Sequence, residues 1–195
     1  MLVFAVTAVA GGGTPSWGWL DIYSYAVMAA VVVYWLWDRV MWKRPIAQRL
    51  KIAPRDVSGT WRGTLTSCWI DPSNGEQCNP KTVYLVVRQT ASTVSAILLT
   101  NEARSLSSLA SVNSEDGTSS IDYMYEGAPD LMYQDRSRVH RGAVHLNIIG
   151  QPVERLRGHY WTDRDSKGEL EFLDRVAKKA EDTAQAESLF HRTGG

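Results

Sequence analysis

The spacing of hydrophobic and polar residues along the chain changes period once, near residue 57. Before it, residues 22–37 read IYSYAVMAAVVVYWLW, sixteen positions without a charge between Asp21 and Asp38. After it, apolar and polar side chains alternate at steps of two, interrupted repeatedly by turn residues. Alternation of that kind puts successive side chains on opposite faces of a strand. It predicts strands at about 58–69, 80–89, 92–100, 104–113, 119–126, 138–149, 154–163 and 168–173. In the first, Trp61, Gly63, Leu65 and Trp69 share one face, with Thr60, Arg62, Thr64 and Thr66 on the other. Such strands cover one core with one face. Eight of them on mostly short loops predict a mainly β protein with an antiparallel up-and-down β-barrel, because closure removes the edges an open meander exposes. A β-sandwich is the alternative. Residues 174–191 predict a short C-terminal helix, with Val176, Ala177, Ala180 and Ala184 on a weak stripe and a solvated opposite face.

The uncharged stretch predicts an N-terminal transmembrane helix. At about 1.5 Å per residue, Trp19 to Trp37 spans roughly 27 Å, close to the hydrocarbon thickness of a bilayer. Trp17, Trp19, Tyr23 and Tyr25 before it and Tyr34, Trp35, Trp37 and Trp42 after it suit the headgroup region. A buried core helix would instead need a helical domain around it, and the rest of the chain is strand-like. Residues 2–10 are apolar but short, about half a span at that rise, and end in Gly11-Gly12-Gly13-Thr14-Pro15. They read as a short first membrane helix, which would make a helical hairpin, or as the remnant of a longer one. The expected division is a transmembrane region at 1–42, a basic juxtamembrane linker at 43–56, the barrel at 57–173, and a helix and tail at 174–195.

Charge fixes the expected side of the membrane. Lys43, Arg44, Arg49, Lys51 and Arg55 follow the apolar span, and no basic residue precedes it, so the positive-inside rule puts the barrel in the cytoplasm. Net charge is zero, with 21 basic and 21 acidic residues, which excludes a broad basic field for DNA or RNA. Cys68 and Cys78 flank the turn-like Asp71-Pro72-Ser73-Asn74-Gly75 and would face each other across a hairpin. A disulfide there belongs to an oxidising compartment.

Antiparallel connectivity alone selects a candidate site. The ends of odd strands and the starts of even strands share one rim. That rim, away from the start of the first strand, collects Thr100, Glu102, Arg104, Ser105, Ser107, Tyr123, Tyr125, Arg138, His140, Tyr160, Thr162 and Arg164. Thr100, Tyr123, Tyr125, Tyr160 and Thr162 follow apolar residues at steps of two and are expected to point inward. Polar groups inside a barrel need partners, which a ligand or a ring of mutual hydrogen bonds with water would supply equally well. Tyrosines offer flat faces for bases, arginines forked donors for phosphates, and hydroxyls contacts to ring edges, an inventory that suits a nucleotide-like ligand. His140 and His145 are five apart and project to opposite faces of one strand, so they do not jointly hold a metal. No phosphate-binding glycine loop, serine nucleophile elbow or paired zinc spacing occurs, and no enzyme, metal or cofactor is expected.

Five blocks carry a resemblance to a known family: SGTWRGTL at 58–65, VVRQTASTVSAILLTNEARSLSSLASV at 86–112, IDYMYEG at 121–127, HRGAVHL at 140–146 and LRGHYWTDRDSKGEL at 156–170. In their order, and with the preceding anchor, the chain resembles CBASS antiphage effectors of bacteria, which join N-terminal transmembrane helices to a cytoplasmic eight-stranded barrel that receives a cyclic dinucleotide. The resemblance implies a nucleotidyltransferase partner that makes the messenger, a barrel that binds it, and homo-oligomerisation that disrupts the inner membrane, without chemistry by the effector. It implies ligand contacts from Thr100, Arg104, Ser105, Ser107, Tyr123, Tyr125, Tyr160, Thr162 and Arg164. That family has two complete spans, from which the short segment at residues 2–10 departs. Gly59-Thr60-Trp61 is also similar to the Gly-x-Trp that opens lipocalins, so a membrane-anchored carrier of a small apolar ligand is the alternative. A filled, ligand-free barrel is a third reading.

Overall fold

The structure, a computed structural model, describes residues 17–70, 75–115, 117–129 and 139–191. The expectations for residues 2–10 and for Arg138 lie outside the described residues. The chain forms two compact units, Met1–Met41 and Trp42–Gly195.

The described residues of the first unit hold one helix, α1 (Trp17–Arg39). Its side chains from Tyr23 to Leu36 are exposed, Val31, Val33 and Tyr34 among them. Among the described residues no helix is long and apolar enough to cross a membrane. The reason is compositional: the purely apolar core covers only residues 26–33, and Tyr23, Ser24, Tyr25, Tyr34, Trp35 and the charged Asp38 and Arg39 dilute it on both sides.

The second unit opens with a 3-10 turn (Met41–Lys43) and a short helix, α2 (Pro45–Arg49), with proline in its first turn. Eight strands follow: β1 (Gly59–Ser67), β2 (Lys81–Gln89), β3 (Val94–Leu99), β4 (Ala103–Glu115), β5 (Thr118–Pro129), β6 (His140–Ile149), β7 (Arg155–Thr162) and β8 (Lys167–Val176). Each pairs antiparallel with the next, and β8 returns to β1, giving a closed barrel. The expected up-and-down barrel is the observed one. Inward side chains fill its middle: Trp61, Leu85, Ile121, Leu146, Leu156, Leu170 and Phe172 are fully buried.

A second apolar cluster lies outside the barrel. β2 is buried on both faces from Val83 to Val87, because α3 (Thr183–His191) covers its outer side. Tyr84, Val86, Ile97 and Leu99 meet Ala180, Ala186 and Phe190 there, with the Tyr84 and Phe190 rings stacked at 5.9 Å. The expected short C-terminal helix is present, but its start and its solvated character are corrected. β8 continues to Val176, and the helix starts at Thr183, where Asp182 Oδ1 accepts the Gln185 N–H at 2.7 Å as an N-cap.

The ladder is uneven at one seam. β3 and β4 share only the pairs Ile97–Leu106, Leu98–Ser105 and Leu99–Arg104, and β4 shifts register against β5 between Ser107 and Leu109. At the point of divergence Ser107 Oγ accepts the Ala96 N–H at 3.0 Å, in place of a ladder carbonyl. A cavity of about 420 Å³ opens below, lined by Thr90, Thr93, Val94, Ser108, Ala110 and Val112 among others.

Candidate functional site

The rim where β1 begins is closed by residues 42–57 of the chain itself. Gln89 accepts the Val57 N–H and donates to the Arg55 carbonyl, both at 2.9 Å, and Arg55 donates to the Gly150 carbonyl. Gln48 donates to the carbonyls of Trp42 and Pro54 at 2.9 Å. Arg175 donates to the Asp56 carboxylate at 2.8 Å and to the carbonyls of Asp56 and Ser58, with its guanidinium 5.3 Å over the Trp61 ring. Burial pushes the Asp56 carboxyl up, but Ser58, Arg175 and Lys43 outweigh it and hold its pKa below the usual value.

The opposite rim is organised by aromatic rings facing glycines across the ladder. Tyr125 lies opposite Gly142, His140 opposite Gly127, and Tyr160 opposite Gly168. A Cβ on these glycines would lie 2.6 Å from the Tyr125 hydroxyl, 2.6 Å from the His140 ring and 2.7 Å from the Tyr160 ring. The rings occupy part of the space that side chains would fill, together with the Trp161 carbonyl beside Gly142 and the Thr66 carbonyl beside Gly168, so substitution there would press on both ring and ladder. Tyr125 meets Tyr123 at 6.2 Å between centroids and His140 edge-on at 6.0 Å. Arg164 Nη2 donates to His140 Nδ1 at 3.0 Å, linking the β7–β8 turn to the start of β6.

Burial raises all three phenols. Tyr125 is pushed up to about 12 by burial and by Tyr160, with Arg164 opposing. Burial also raises Tyr160, against a hydrogen bond with Ser67. Tyr123 is raised well above its ordinary value, first by burial and then by Tyr125. These groups are neutral at physiological pH and serve as hydrogen-bonding hydroxyls on flat apolar rings. The Tyr123 hydroxyl is buried without a hydrogen-bond partner, as is the Trp42 indole N–H near the closed rim.

The nine residues expected to form a site are distributed as follows. Tyr123, Tyr125, Tyr160 and Ser105 are buried, the three tyrosines within the inner cluster, and Ser107 lies beside them on the β4 ladder opposite Tyr125. Thr100 and Thr162 shape turns at the rim. Thr100 Oγ1 accepts from the N–H groups of Glu102 and Ala103, and Thr162 Oγ1 from those of Arg164 and Ser166. Arg164 joins the group through His140. Arg104 does not: it pairs with Leu99, whose side chain faces outward into the α3 cluster, so Arg104 is on the outer surface. Gly127, Gly142 and Gly168 were not singled out from sequence, although each interrupts an inward row of apolar residues. None of the nine lines the cavity at the β3–β4 seam. Cys68 and Cys78 are free thiols, so the disulfide that would favour a membrane-anchored carrier is not formed. Among the described residues no group of three or more His, Cys, Asp and Glu side chains could hold a metal ion.

A closed eight-stranded barrel with one covered end and an aromatic, hydroxyl-bearing rim at the other has the form of a small-ligand receptor barrel. A family model described as the Cap15 cyclic dinucleotide receptor domain matches residues 53–173. The chain is also 31% identical over 153 residues to the CD-NTase-associated protein 15 of Staphylococcus schleiferi, covering 78% of this chain and 79% of the relative. The chain belongs to the Cap15 family of CBASS effectors.

Proposed function

We propose that the glycine-backed rim of the barrel binds a cyclic dinucleotide made by a partner nucleotidyltransferase. Binding gathers copies of the chain at a bacterial inner membrane, which their N-terminal segments then disrupt, with the barrels on the cytoplasmic side. The chain performs no chemistry in this reading; it converts occupancy into assembly. The single observation that carries it is the match of the receptor-domain model to residues 53–173, the stretch that holds every predicted site residue. The site chemistry supports it: adjacent aromatic rings at Tyr123, Tyr125 and His140, tilted or edge-on to one another, the Arg164 guanidinium bonded to His140, and the Tyr123 hydroxyl with no partner inside the protein. A membrane anchor is supported by the exposed apolar residues 26–33 of α1, flanked by aromatic and then basic positions.

The test is thermal melting of the full chain in detergent against a panel of cyclic dinucleotides. At a hundredfold excess over Kd, one member is expected to stabilise the protein by about 2.7 kcal/mol, roughly 5–10 °C in Tm. Tyr125→Leu, which removes the ring and its hydroxyl while keeping an apolar side chain opposite Gly142, should abolish that shift. No shift with any member of the panel would sink the proposal.

A further inference from the structure

The outer wall of the barrel carries a charge pattern that the receptor site does not use. On β5, the outward residues Asp122 and Glu126 are acidic and Met124 lies between them; on β6, the outward residues Arg141 and His145 are basic and Ala143 lies between them. The register sets Glu126 opposite Arg141, Met124 opposite Ala143 and Asp122 opposite His145. Contacts already join the outer rows within the chain, an ion pair from Arg141 to Glu126 at 3.2 Å and a hydrogen bond between His145 and Asp122 at 2.5 Å. The middle row continues onto both neighbouring strands, because Leu109 of β4 pairs with Met124 and Trp161 of β7 pairs with Ala143. Leu109, Met124 and Trp161 are 67%, 55% and 48% exposed. An apolar row thus crosses four strands between two rows of paired charges, the arrangement of an interface centre with a polar rim.

We propose that this face of β4–β7 is a two-fold contact surface for a second copy of the chain, with the symmetry axis running along the strands between β5 and β6. Rotation about that axis exchanges the two columns. Glu126 then faces the arginine equivalent to Arg141, Asp122 faces the histidine equivalent to His145, Met124 faces alanine, and Leu109 is turned toward tryptophan. No like charges meet, and every charge contact occurs twice, as in an isologous pair. A different partner would need its own matching basic and acidic columns on either side of an apolar row; a second copy supplies them without further assumption. Two convex barrels touch over a few strands, which puts the contact in the small class of interface, under about 1,200 Å², that forms readily only at high local concentration. The surface stands on geometry alone, and only its strengthening by ligand rests on the proposed receptor function.

The test uses full-length chains in detergent, labelled at the amino terminus with donor or acceptor dyes, and reads association by energy transfer. Glu126→Arg alone and Arg141→Glu alone should each weaken association at least tenfold. Mixing the two variants should restore it, since each mutated side chain then faces an opposite charge on the other copy, whereas within each chain the repulsion persists. Far-ultraviolet circular dichroism melts check that both variants fold, since exposed pairs of this kind contribute little to stability. A mixture that associates no better than either variant alone overturns the proposal, as does the absence of wild-type association both with and without the cyclic dinucleotide panel. Charge-dependent association with no nucleotide response supports this surface and counts against the receptor function alone.

Discussion

At the end of the barrel where β1 begins, Gln48, Arg55, Gln89 and Arg175 direct their donors and acceptors at the chain's own backbone. At the other end, the Tyr125 and Tyr160 hydroxyls and the His140 imidazole sit on rings that face glycines, and the Arg164 guanidinium joins them through His140. The first arrangement fastens residues 42–57 as a cover, and Lys43, Arg55 and Arg175 are engaged in doing so. The second orients flat faces and neutral phenols with little backbone to hold. The contrast separates residues whose loss should unfold the protein from residues whose loss should blunt recognition. Each end leaves one buried polar atom unpartnered, Trp42 Nε1 and Tyr123 Oη, so an unpartnered atom alone does not mark the site. What distinguishes Tyr123 is its place beneath Tyr125 in a row of rings.

The largest effect is expected at the closed end. Trp61 is fully buried, donates its indole N–H to the Val57 carbonyl at 2.9 Å and carries the Arg175 guanidinium on its face. Trp61→Ala should cost about 3–5 kcal/mol in equilibrium denaturation. A loss below 1 kcal/mol would erase the distinction between the two ends. An intermediate effect is expected for Asp56→Asn, about 1–3 kcal/mol, because it leaves Arg175 and Lys43 without their carboxylate. The pKa of Asp56 is depressed in the folded state, so its contribution is fully present above the unfolded value near pH 4. It is lost as pH falls through the folded value, and the variant's stability should be flatter across that acid window. The smallest effect on stability should come from Tyr123→Phe, within about 1 kcal/mol, since the hydroxyl it removes has no partner. The same variant should reduce the nucleotide-induced shift in Tm. A fold that weakens while the shift survives would move Tyr123 to the structural side of the comparison.

Much of this fold is legible in the sequence, because alternation at Trp61-Gly63-Leu65 and Ile121-Tyr123-Tyr125 is a local property of a strand with one buried face. β2 defeats that logic. Tyr84 and Val86 alternate with Val83, Leu85 and Val87 as if half of them faced water, and only the distant α3 shows that both sets are covered. The rim is legible for the same topological reason, since antiparallel connectivity dictates which strand ends meet. The phase of Arg104 is not, because a strand start carries too few residues to show which way it points. The glycine and aromatic partners are invisible for another reason: Tyr125 and Gly142 become neighbours only through the register of β5 against β6. Hydropathy predicts a transmembrane helix over about 19–37; a helix spans 17–39, but the interfacial aromatics that would anchor it also shorten its apolar core, and it is not long and apolar enough to cross a membrane.

The seam between β3 and β4 adds a kinetic dimension to this static picture. Three residue pairs and the Ser107 hydroxyl close the ring there, where β4 and β5 share a ladder along most of their length. A closed sheet opens where its stitching is shortest, so thermal fluctuations should part the wall beside Ala96 long before the barrel as a whole unfolds. The cylinder is topologically complete yet mechanically closer to a sleeve with one short row of fasteners. Strain arriving from the rim would have a defined line along which to run.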